Sequence, residues 1–173
     1  MKVAFIGLGV MGYPMAGHLK NAGLDVCVYN RTEAKASQWC VEHGGNSAPT
    51  PREAAENCDI VFTCVGNDDD VRQVIFGDDA AFAGMKPGAI LVDHTTASAS
   101  LARELDAAAR EQGFSFLDAP VSGGQAGAQI AGSSWKWPIG KDGKSGLYCR
   151  RGSGSGRRIK FCQECRAGWR STD

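Results

Sequence analysis

An α/β domain built on a doubly wound parallel sheet, followed by an irregular basic tail, is the fold class this sequence predicts. Three observations carry it. Short apolar runs alternate with amphipathic stretches from residue 1 to residue 128. The runs are apolar at consecutive positions, the pattern of strands covered on both faces. A glycine-rich hexapeptide separates the first run from the first helical stretch.

The elements follow in order. "KVAFIG" is a β-branched and aromatic run closed by glycine, a buried strand. Met15, Leu19 and Ala22 recur at helical spacing and predict a helix over residues 11–22, with Gly23 placed to stop it in a left-handed conformation. "DVCVYN" is the second strand, so the unit is βαβ with a right-handed crossover. "EAKASQWCVEH" predicts a helix, and "EAAENC" a short one opened by Pro51, whose missing N–H is harmless in a first turn. "DIVFTCV" is a strand, "DDVRQVIF" a helix with acids at its positive amino end, and "AILVD" a strand. "SLARELDAAAREQG" is the clearest helix: Leu101, Leu105, Ala108 and Ala109 share one face and Gly113 is the stop. "FSFLD" is the strand after it.

Beyond Ala128 the character changes. "GSSWKWPIGKDGKSG" has turn formers at nearly every third position, and "RRGSGSGRR" has the composition of a flexible linker. The formal charge of zero hides the same division: residues 1–128 carry 9 Lys and Arg against 16 Asp and Glu, while residues 129–173 carry 10 against 3. The sequence therefore divides into a folded domain over 1–128 and an atypical tail over 129–173. At 173 residues, one ordinary domain with its own core is the limit. No stretch has the h-region and cleavage pattern of a signal peptide, and none is long enough to span a bilayer. The seven cysteines are odd in number, and Cys27, Cys40, Cys58 and Cys64 fall in or beside elements that read as buried, as reduced thiols do. A cytoplasmic protein is the expectation.

The hexapeptide "GLGVMG" fits G-x-G-x-x-G. The motif is specific only between a strand and a helix, and both flanks are present here. Gly7 permits the tight turn, Gly9 lets a diphosphate approach the backbone, and Gly12 lets the helix pack on the strand. The free N–H groups and positive end of that helix then hold the diphosphate. Gly7, Leu8, Gly9, Val10, Met11 and Gly12 are the first candidate cofactor-binding residues, and the domain reads as a Rossmann-type NAD(P)-binding one.

At the end of the second strand an Asp or Glu would accept the adenosine ribose hydroxyls and repel an added phosphate. Asn30, Arg31 and Thr32 stand there instead. Asn removes the repulsion, and Arg can fork to a 2′-phosphate. NADP(H) is therefore expected over NAD(H). The crevice at the carboxyl ends of the later strands adds Val65, Gly66, Asn67 and Thr96. His94 lies beside them, but a lone His at a strand end reads as structural. No metal site is expected: Cys149, Cys162 and Cys165 have no fourth ligand, because all three histidines precede residue 95. Trp135, Trp137 and Trp169 among the tail cations could stack on single-stranded nucleic acid, a partner not expected here.

"FIGLGVMGYPMAGHL", "NRT", "VDHTTASA" and "LDAPVSGG" together resemble the β-hydroxyacid dehydrogenase family, which includes 3-hydroxyisobutyrate dehydrogenase and the tartronate semialdehyde and glyoxylate reductases. The resemblance covers residues 1 to about 128. It implies a Rossmann-type domain, a helical C-terminal domain that also forms the oligomer interface, and a cleft between them. It implies that Ser122, Gly123 and Gly124 hold a small carboxylate-bearing substrate, a role that a hydroxyl and the N–H groups of a glycine turn also suit chemically. A lysine general acid or base is implied on a long helix reached through G-x-G-x-x-x-K. "GSGRRIK" has that spacing, which makes Lys160 the candidate catalytic residue, with a solvated cation in a basic tail as the competing reading. The family's Asn one turn later has no counterpart, since no Asn follows Asn67. Two readings stay open: an NADP(H)-dependent hydroxyacid dehydrogenase, and a truncated, catalytically incomplete NADP(H)-binding remnant.

Overall fold

A computed structural model describes residues 1–121 and, in the tail, the backbone of residues 146–149 and 157–160. Six strands form one sheet: β1 (Lys2–Ile6), β2 (Asp25–Tyr29), β3 (Asn46–Ser47), β4 (Ile60–Thr63), β5 (Ile90–Asp93) and β6 (Ser115–Asp118). Their order is β3-β2-β1-β4-β5-β6, with every neighbouring pair parallel. The helices are α1 (Gly12–Asn21), α2 (Glu33–His43), α3 (Pro51–Ala55), α4 (Asp68–Ile75), α5 (Ala81–Gly84) and α6 (Ala99–Glu111). This is the doubly wound Rossmann order.

The continuous apolar runs are explained by what covers them. Along β1, Val3 and Phe5 join Met15 and Leu19 of α1 and Trp39 of α2 on one face. Ala4 and Ile6 join Ala54 of α3, Val71 and Ile75 of α4, and Leu101 and Leu105 of α6 on the other. A strand with helices on both sides has no wet face, so alternation with polar residues disappears. Trp39 is wholly buried and donates its indole N–H to the Tyr13 carbonyl at 3.2 Å, which satisfies the one polar group the ring brings inside.

The expected stops hold. Gly23 and Gly113 follow α1 and α6 at φ +85° and +77°, a region side-chain-bearing residues avoid. Pro51 opens α3. Two elements are additions to the sequence reading. β3 is two exposed polar residues that become a strand by pairing with Cys27 and Val28, and α5 is one short turn in a stretch to which the sequence assigns no element. In the tail, where the sequence reads as irregular, β7 (Gly146–Cys149) and β8 (Arg157–Lys160) pair antiparallel. Among the described residues no helix is long and apolar enough to cross a membrane.

Candidate functional site

Between β1 and β4 the chain connections leave on opposite faces, which opens a crevice at the carboxyl ends of the strands. A pocket of about 760 Å³ lies there. The loop after β1 contributes Gly7, Gly9, Val10 and Met11; the end of β2 contributes Tyr29 to Thr32; the turn after β4 contributes Cys64, Val65 and Gly66; α4 contributes Asp70.

The three glycines of the hexapeptide are glycines for different reasons. Gly7 has φ +97°, and a Cβ there would run into the Cys64 carbonyl and the Val65 side chain. At Gly12 a Cβ would run into the Gly7 carbonyl and stand 3.0 Å from the Phe5 ring. Both are required by the fold itself. Gly9 has no left-handed φ, and a Cβ there would meet nothing within 4 Å. The protein's own packing leaves that position open toward the pocket.

The helix behind this opening is also unfinished. Thr50, Asn67 and Ser98 cap α3, α4 and α6 by accepting backbone N–H groups, whereas α1 has no side-chain cap and no acid in its first turn. Tyr13 N–H goes to the Gly9 carbonyl at 3.1 Å and Pro14 has none, so the amino end offers an anion its positive partial charge and the N–H groups of Val10, Met11 and Gly12. Leu8 behaves differently from its neighbours. Its side chain is buried in the core, and its N–H goes to Asn30 Oδ1 at 3.0 Å.

That bond gives Asn30 a role the sequence did not announce. Its Nδ2 also donates to the Thr32 carbonyl at 3.0 Å, so one amide latches the glycine loop to the end of β2. Arg31 is 78% exposed, and its Nη1 stands 3.4 Å from Asp70 Oδ1 across the pocket. Lys35, one turn beyond Arg31, lines the same pocket as a second cation.

The turn after β4 is held from β5. Thr63 Oγ1 and the Thr95 N–H both donate to Asp93 Oδ1, at 2.8 and 2.9 Å, and Thr95 Oγ1 accepts the Val65 N–H at 3.1 Å. A buried carboxylate with these donors fixes the backbone that carries Val65 and Gly66. Asn67, a candidate ligand from sequence, caps α4 by accepting the Asp70 N–H at 3.0 Å and lies outside the pocket lining; Thr96 is exposed and also outside it. Burial and then the Asp93 charge push the Cys64 thiol up to about 11, so it stays protonated at neutral pH.

His94 is 4% exposed, stacked on Phe62, with Nδ1 2.7 Å from the Ala119 carbonyl. A carbonyl only accepts, so Nδ1 carries the proton and Nε2 is the bare nitrogen; it has no partner among the described residues. Burial lowers its pKa below 6.5. The unfolded chain then takes up the proton first as pH falls. Stability is full above about pH 6.5 and drops below it, at up to ~1.4 kcal/mol per pH unit until the folded form also protonates. Denaturant melts across pH 5–7 should show this slope, and His94→Asn, which keeps a donor for the Ala119 carbonyl, should flatten it.

Ser122, Gly123 and Gly124 lie outside the described residues. Lys160 is the last residue of β8, a strand rather than a helix at that point, and its side chain and the residues after it also lie outside. Among the described residues no group of three or more His, Cys, Asp or Glu is placed to hold a metal.

Comparison with known proteins agrees with this geometry. An "Uncharacterized oxidoreductase" of Shewanella frigidimarina is 66% identical over 128 residues, 74% of this chain and 44% of that one. "Probable 3-hydroxyisobutyrate dehydrogenase-like 2, mitochondrial" of Arabidopsis thaliana is 44% identical over 74% of this chain and 42% of its own length. The structure of 3-hydroxyisobutyrate dehydrogenase from Mycobacterium tuberculosis with L-serine superposes with a TM-score of 0.69 at 35% identity, covering 75% of this chain and 43% of that one. The chain thus spans less than half the length of these relatives. The NAD binding domain of 6-phosphogluconate dehydrogenase matches residues 2–134. That span takes in every strand of the six-stranded sheet and the whole pocket lining, and the chain belongs to this family of NAD-binding domains.

Proposed function

We propose that the chain binds NADP(H) and serves an oxidoreductase of the 3-hydroxyisobutyrate dehydrogenase type, which moves hydride between nicotinamide and a small hydroxy acid or semialdehyde. The open position at Gly9 carries this reading. Neither a backbone angle nor a neighbouring atom asks for glycine there, and the opening faces an uncapped helix end, which is the chemistry of a diphosphate cradle.

When bound, the coenzyme supplies or takes the hydride. The chain's own residues hold it: Gly7, Gly9, Val10 and Met11 at the diphosphate, Asn30, Arg31 and Thr32 at the adenosine end, Val65 and Gly66 along the turn after β4. Preference for NADP(H) rests on Arg31 and Lys35, two cations on one wall of the pocket. Ser122, Gly123 and Gly124 would anchor the substrate carboxylate. Lys160 would donate a proton to the carbonyl oxygen as charge grows on it. The setting we propose is the cytoplasm, supported by the free thiols of Cys27, Cys40, Cys58 and Cys64.

A second reading, nucleotide binding without turnover, is favoured by one observation: Lys160 is the last residue of a strand, whereas the catalytic reading puts it on a helix. Fluorescence titration of NADPH against the full chain, followed by turnover with glyoxylate, succinic semialdehyde and methylmalonate semialdehyde, separates the two. Turnover that Lys160→Met removes supports the dehydrogenase; binding with no turnover supports the second reading; no binding overturns both. In the same titration Arg31→Met should weaken NADPH about tenfold or more, the value of a charge-assisted hydrogen bond, and leave NADH within about threefold.

A further inference from the structure

We propose that Asp70 sets the coenzyme choice of this pocket by holding Arg31 away from a 2′-phosphate, an inference that rests on nucleotide binding at the site. The sequence rule looks for a discriminating acid at the end of β2, and Asn30 there removes it. The fold puts one back from another element. Asp70 stands in the first turn of α4, its N–H fixed to Asn67 Oδ1 at 3.0 Å. Its carboxylate leans over Gly66, where a Cβ would stand 2.6 Å from Oδ2. Its Oδ1 is 3.4 Å from Arg31 Nη1, with Asp70 28% exposed and Arg31 78% exposed. Both residues line the pocket.

The same guanidinium that would fork to a 2′-phosphate is thus already paired with a carboxylate. A phosphate dianion arriving at Arg31 must displace Asp70 or share the cation with it, and two anions on one cation repel. A ribose 2′-hydroxyl meets no such penalty, because a carboxylate accepts a hydrogen bond from it. Asp70 therefore opposes NADP(H) and is neutral to favourable for NAD(H), so the preference conferred by Arg31 and Lys35 is held down. Salt should blunt the effect, since the Arg31 end of the pair is 78% exposed.

Calorimetric titration of the full chain with NADPH and with NADH tests this. Asp70→Asn should tighten NADPH about fivefold and leave NADH within about twofold or slightly weaker, in line with the removal of a partly exposed charge. Asp70→Glu, which keeps the charge, should leave the ratio near that of the unaltered chain. Asp70→Ser provides the same readout should the Asn variant fail to fold. An unchanged ratio in Asp70→Asn or Asp70→Ser, with NADPH still binding, overturns the inference and leaves the nucleotide reading standing. Absence of binding by either coenzyme in the unaltered chain overturns both.

Discussion

Gly9→Val abolishes dinucleotide binding and leaves the fold intact. A Cβ at this exposed position meets no protein atom within 4 Å and the backbone has no left-handed φ, so the substitution brings neither a clash at Cβ nor backbone strain. Exposed substitutions of this kind shift stability by about 0.5 kcal/mol or less, and the melting temperature should move by no more than about 2 °C. The valine instead fills the space where the backbone must come within reach of the diphosphate. Loss of that approach should cost about 100-fold or more in affinity. Circular dichroism melts beside a coenzyme titration read the two effects separately.

Gly12→Ala produces the opposite result within the same hexapeptide. Its Cβ has to enter space held by the Gly7 carbonyl and the Phe5 ring, one a backbone atom in a tight turn and the other a buried side chain with 1% exposure. Neither can give way without parting α1 from β1. Overpacking of this kind costs about 3 kcal/mol or more, a large share of the stability of a single domain. Urea melts should show the midpoint falling steeply, and any loss of binding should follow the loss of folded chain. A glycine for ligand and a glycine for fold, three residues apart, are told apart by which property fails.

The sheet was legible because burial on both faces turns each strand into an unbroken apolar run, and because Gly23 and Gly113 end helices where left-handed φ is needed. β3 was not legible: Asn46 and Ser47 are polar and exposed, and only the ladder to β2 makes them a strand. At the site, the glycines and Arg31 could be read from the motif and its position. In the sequence Asn30 stands where a discriminating acid is absent, but in the fold its amide also latches Leu8 to Thr32, and the Leu8–Asn30 bond joins residues 22 apart that no local pattern links. Leu8, inside the motif, belongs to the core, and Asn67 belongs to a helix cap. Asp93 with Thr63 and Thr95, and Asp70 opposite Arg31, escaped for the same reason. Acids at strand ends and in first turns look ordinary until tertiary contacts show what they hold.

In the proposed function, the uncapped amino end of α1 and the gap at Gly9 grip the linked phosphates of a pyridine dinucleotide. Calorimetric titration of NADPH into the 173-residue chain, shown by circular dichroism to be folded, tests this grip most directly. A saturable one-site isotherm is expected, one that weakens with added salt and vanishes in Gly9→Val. A flat trace from folded protein, or an isotherm that Gly9→Val leaves unchanged, would contradict it.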